Sequence, residues 1–94
     1  MYIFSWDARK SDANLKSRRF DFAHAARIFD EPTLEREDAR RDYGETRITA
    51  LGVVEGIQLT VVYTDRVVDD VRERRIISAR RSNRRERSAY GQSL

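Results

Sequence analysis

The sequence predicts an α+β domain: an antiparallel β-sheet with two N-terminal helices on one face and a short C-terminal helix. Three observations predict it. Residues 46–54, 57–65 and 71–80 alternate or run rich in β-branched residues, as strands do. From Asp21 to Phe29 the apolar residues fall instead at helical spacing. Beyond Ser82, Asn83 and Glu86 form a capping pattern that opens one more helix. A length of 94 residues supports one modest core, so residues 1–94 make a single domain.

Taken in order, residues 2–6 (YIFSW) are short, aromatic and β-branched, a first strand. Asp7 caps a polar helix running to about Ser17. Asp21 is a second cap, and Phe22, Ala25, Ala26 and Phe29 follow at i, i+3, i+4 and i+7 as one apolar face. His24 lies two steps of about 100° off that stripe and should point to solvent. Pro32, the only proline, ends the helix. Residues 31–45 are strongly ionic, either a loop or a ragged edge strand around residues 33–36. A two-residue turn at Glu55-Gly56 would set Ile48 against Tyr63, Ala50 against Val61, Gly52 against Leu59 and Val54 against Ile57. That apolar face should cover the helices. The other face carries Arg47 against Thr64 and Thr49 against Val62. In residues 71–80 alternation places Arg74, Ile76, Ser78 and Arg80 on one side and Ile77 and Ala79 on the other. The last helix should end near Gly91.

Composition removes several chemistries. The chain has no cysteine and one histidine, which excludes disulfides, thiolate metal sites and a catalytic histidine pair. Its four glycines are not clustered, so no phosphate loop is present, and Ser and Thr lack a His/Asp framework for a hydrolase triad. Glu35, Glu37 and Asp38 read as a solvated run rather than metal ligands. No apolar run approaches the ~20 residues needed to span a bilayer. Asp7 and the lack of an apolar stretch argue against a signal peptide. A soluble, cytoplasmic protein is expected.

Charge is distributed unevenly. Residues 1–70 hold 11 basic and 14 acidic side chains, whereas residues 71–94 hold eight Arg against Glu73 and Glu86. A guanidinium fork binds phosphate bidentately, so this block reads as a phosphodiester-binding surface, with a merely solvated charged face as the plain alternative. The compositional exclusions leave a metal-free ribonuclease open, because RNA brings its own nucleophile in the 2′-OH. The protein must align that oxygen, move two protons and stabilise charge on the phosphate. Arg47 and Arg80 would face the same side of the sheet, away from the helices, with Glu45 two residues from Arg47. An ion pair with a neighbouring acid is the competing reading for each arginine. Trp6 and Phe4 could stack on bases, although a core position is commoner for such residues.

The order FSWD, NLKSRRFDFAHAARIFDEP, GETRITALG, LTVVYT and RIISARRSNRRERSAY resembles the BrnT family of type II toxins over nearly the whole chain. The ISAR core followed by an RRE helix start and a Tyr is the most specific part. The resemblance implies a RelE-like fold and a growth-arresting endoribonuclease without cofactor. It also implies a BrnA antitoxin, whose dimer pairs with two toxins and represses its own operon through ribbon-helix-helix DNA binding. The family's pattern falls on Trp6, Glu45, Arg47, Arg80 and Arg84-Arg85-Glu86. On that pattern Arg47 and Arg80 clamp the scissile phosphate, Glu45 is the general-base candidate, and Arg81, Arg84 and Arg85 extend the RNA track, with Trp6 beside it. The chain departs from the family at Ser17-Arg18-Arg19, where Lys-His-Gly is usual. Arg18 stands on the histidine and is no easily titrated base. Lys16 could replace the lysine one position early, and Arg18 or Lys16 would support the phosphate or the leaving oxygen. Arg19 must tolerate the turn that glycine would have made. A catalytically weak RNA- or antitoxin-binding module of the same fold is the rival reading.

Overall fold

Asp7 opens the first helix by accepting backbone N–H groups from Arg9 and Lys10. The computed structural model describes residues 2–39 and 44–92. In it, strand β1 (Ile3–Trp6) leads into α1 (Ala8–Arg18) and the short α2 (Phe22–Ala25), which continues as a 3-10 helix (Ala26–Asp30). Strands β2 (Leu34–Glu37), β3 (Ile48–Val54), β4 (Ile57–Val68) and β5 (Val71–Arg81) follow, then α3 (Arg84–Gln92). The result is a mixed α+β arrangement around one five-stranded sheet of order β1-β5-β4-β3-β2.

The β3–β4 hairpin has the expected register, with Ile48 facing Tyr63 and Val54 facing Ile57 across Glu55-Gly56. Both turn residues have positive φ, as a type I′ turn requires. The ionic stretch forms a short edge strand, β2, antiparallel to β3. Residues 40–43 of that stretch lie outside the described residues.

Three expectations need correction. The sheet is not wholly antiparallel, because β1 pairs parallel to β5 from Ile3↔Glu73 to Trp6↔Ile76. A helical crossover after β1 carries the chain over the sheet, and that connection permits a parallel neighbour. Secondly, β5 does not alternate cleanly. Val62 pairs with Ser78 but Tyr63 with Ile76, so Ile77 is an extra residue in a β-bulge. The phase of β5 therefore reverses there. Arg74 and Ile76 join Ala79 on the buried side, and Ser78 and Arg80 face away from it. Thirdly, the α-helical stripe holds only to Ala25. Tightening to 3-10 geometry turns Ile28 fully inward while Phe29 stays half-buried. His24 is also half-buried, its ring 6.0 Å from that of Phe20.

Phe20, Phe22, Ala25 and Ile28 pack against Ala50, Val54, Leu59, Val61, Tyr63, Ile76 and Ala79 to make the core. Gly52 allows this closeness, since a Cβ there would meet the Ile28 Cβ at 2.7 Å. One end of the core is closed by an arginine. Arg74, 7% exposed, makes a bidentate pair with Asp65 at 2.8 Å and lies over the Tyr2, Phe29 and Tyr63 rings. The Tyr63 hydroxyl donates to Glu35 at 2.8 Å, and its burial together with that bond pushes its pKa well up.

Candidate nucleic-acid interface

The β1 ladder ends at Ile76, and α1 runs beside the continuation of β5. Between them lies a groove of about 510 Å³ lined by Lys10, Asn14, Arg18, Asp38, Arg47 and Ser78, among others. Each lining side chain has a local cause. Lys10, Asn14 and Arg18 recur every four residues and so share one face of α1. Asn14 is buried and bonded at both its amide nitrogen and its amide oxygen, donating to the Phe20 carbonyl at 2.9 Å and accepting from Arg18 at 2.8 Å. Arg18 also donates to the Ala79 carbonyl at 3.3 Å, which docks its guanidinium on β5. The bulge at Ile77 sends Ser78 to the outer face, in the same row as Val62 and Thr49. Arg47 enters from the leading end of β3, two residues before Thr49. Its Nε donates to Glu45 at 3.2 Å. The Asp38 N–H donates to the Arg47 carbonyl at 2.7 Å and brings Asp38 to the groove. Three cations and one carboxylate thus line the same groove.

A second groove of about 410 Å³ lies between β2 and α3 and shares Asp38 with the first. Its floor is Leu34, Thr49 and Leu51. Its charges are Arg36 and Arg85 against Glu35, Glu37, Asp38 and Glu86, an excess of acid.

The sequence-derived residues separate into groups. Arg18 and Arg47 line the first groove. Glu45 is turned to Arg47 and does not line it. Arg80 lies on the same outer face, in the Leu51–Thr60 row, but outside this groove. Its two terminal nitrogens donate to the two Glu86 oxygens at 2.7 Å each. Glu86 also accepts the Asn83 N–H at 2.8 Å while Asn83 accepts the Glu86 N–H at 2.9 Å, the reciprocal cap that starts α3. Held first by Arg80 and then by that cap, the Glu86 carboxyl drops to a pKa of about 2. Lys16 is exposed on α1 outside the groove. Arg81, Arg84 and Arg85 are exposed, and Arg85 lines the second groove. Trp6 packs against the core. Lys10, Asn14 and Ser78 are not among the site residues read from the sequence, and Asp38, read there as part of a solvated run, is half-buried in the groove lining. Of these, Lys10 and Asn14 carried a legible signal, the shared face with Arg18.

A family model for BrnT, the ribonuclease toxin of type II toxin-antitoxin systems, matches residues 6–86. The chain belongs to the BrnT family. The match begins at Trp6 and ends at Glu86, so it spans both grooves from α1 to the start of α3. No individually curated protein matches the chain significantly. Membership in BrnT places the chain among ribonuclease toxins and implies an antitoxin partner. No described helix of this BrnT chain is long and apolar enough to cross a membrane.

Proposed function

We propose that the chain is a cytoplasmic, metal-independent endoribonuclease of RelE-like fold that arrests growth and is neutralised by a BrnA-type antitoxin. Two toxins would pair with an antitoxin dimer, which alone contacts operator DNA. The observation that carries this reading is the first groove, where Lys10, Arg18 and Arg47 converge on one concave surface. Convergent cations suit a phosphodiester whose charge grows in the transition state. Arg47 and Arg18 take the scissile phosphate, and Glu45 orients Arg47 through its Nε. Arg80 serves the phosphate from the adjoining row while its guanidinium also holds Glu86. Arg81, Arg84 and Arg85 attract the flanking strand, and Trp6 supports β1 from within the core. Lys10 takes the place first considered for Lys16.

The test is incubation of purified, antitoxin-free protein with a defined RNA in EDTA, with the products mapped. Specific cuts support the proposal. Their absence at verified folding favours the rival reading, a module that binds RNA or antitoxin without cutting. That rival draws on Arg18, which replaces an easily titrated histidine with a group that stays protonated.

A further inference from the structure

We propose that Asp38 is the general base of RNA cleavage and Lys10 the acid that protonates the leaving oxygen. The assignment rests on the ribonuclease reading above. Asp38 is the acidic residue among those lining the first groove, which it shares with Lys10 and Arg18 of α1 and Arg47 at the leading end of β3. It is half-buried, and its backbone is clipped to Arg47 at 2.7 Å, so base and phosphate-binding residue are held in fixed relation. Glu35, Glu45 and Glu86 do not line this groove. Lys10 lies in the first turns of α1, exposed, so it can recover a proton from water.

The reaction balances as a transesterification. The 2′-hydroxyl gives its proton to the Asp38 carboxylate as the O2′–P bond forms. The P–O5′ bond breaks, and the Lys10 ammonium gives a proton to O5′. The products are a 2′,3′-cyclic phosphate and a 5′-hydroxyl. Exchange with water then removes the proton from Asp38 and restores the one on Lys10. Arg18 and Arg47 neutralise the phosphate throughout, while Arg85 and Glu86 of α3 share the second groove with Asp38.

The experiment uses the whole chain, EDTA and an RNA oligonucleotide cut at a mapped site. Asp38→Asn should bind that RNA as the wild type does and cut it ~10²–10⁴-fold more slowly at neutral pH. The wild-type rate should rise with pH through the carboxylate range, and this limb should vanish in Asp38→Asn. Lys10→Ala should be slow on ordinary RNA but near wild type on the same oligonucleotide with sulfur replacing the bridging O5′, because a thiolate leaves without a proton. Asp38→Asn cutting at wild-type speed, or slowly with its acid limb intact, overturns the base. Lys10→Ala equally slow on both substrates overturns the acid. If Asp38→Asn does not fold, Asp38→Glu must keep the limb for the assignment to stand. A wild-type chain that cuts no RNA overturns the ribonuclease reading itself, whereas an active wild type with an active Asp38→Asn overturns this assignment alone.

Discussion

Arg19 ends α1 in the left-handed region at φ 73°, with its N–H donating to the Leu15 carbonyl at 3.0 Å. A side chain there costs ~1–2 kcal/mol relative to glycine, partly offset by the ~0.4–1 kcal/mol that glycine loses through a freer unfolded chain. Arg19→Gly should therefore raise stability by up to ~1.6 kcal/mol, at ~4–8 °C in Tm per kcal/mol for a domain of this size, read by circular dichroism on heating. Arg74 is the opposite case, a charge that the core needs. Its removal strips the buried fork from Asp65 and the rings of Tyr2, Phe29 and Tyr63. Asp65 stays 38% exposed and can rehydrate, so Arg74→Ala should sit at the low end of the usual penalty, ~3 kcal/mol. RNA affinity, measured by fluorescence anisotropy where the variant is folded, should hardly change. Counting arginines along the sequence could not separate Arg74 from Arg85, because charge reveals nothing of which face a strand residue takes. Lys16 stands one position before the lysine of the family pattern, yet Lys16 and Arg18, two residues apart on a helix, point about 200° away from each other.

The C-terminal helix depends on one carboxylate. Glu86 has its pKa lowered from 4.5 to about 2, so its contribution to folding is complete above pH 4.5 and disappears as pH falls toward 2. Glu86→Gln should cost on the order of 2 kcal/mol at pH 7, after discounting for Arg80, whose side chain is 43% exposed. That difference between variant and wild type should shrink to nothing near pH 2, as followed by urea unfolding across the pH series. Arg80→Ala should loosen α3 in the same way, so lost cleavage in that variant mixes clamp and helix effects. Arg81→Ala, exposed, should do neither. Local elements were legible because their signals are local. Asp7, Asp21 and the Asn83/Glu86 box mark helix starts by their own side chains, and Glu55-Gly56 fixes the register of a whole hairpin. The bulge at Ile77 was not, since Ile and Ser suit either side of a half-covered strand. Nor was the change to 3-10 winding after Ala25, which close packing of Ile28 on Gly52 accompanies.

For the whole molecule, binding should be governed by charge convergence rather than by total charge. RNA affinity should fall with salt at roughly −0.7 per phosphate contacted on a single strand. Replacing Arg18 and Arg47 by Ala should flatten that slope more than replacing Arg84 and Arg85, because Arg85 lies in a groove with an excess of acid. Salt titrations of the two double variants decide it, and equal slopes would place the strand along α3. The candidate groove is half legible: residue type and resemblance lead to Arg18 and Arg47, which line it, while Asp38, Lys10 and Ser78 meet only after three separate elements have come together. The parallel pairing of β1 was invisible for the same reason, since the partner of Ile3 is Glu73. That distance has a consequence in time. At ~5–20 residues per second a ribosome takes ~4–14 s to travel from one to the other, and until β5 has been made the first strand has no neighbour and the first groove no far wall. A half-synthesised copy thus lacks the groove, which takes shape only once nearly all of the chain exists.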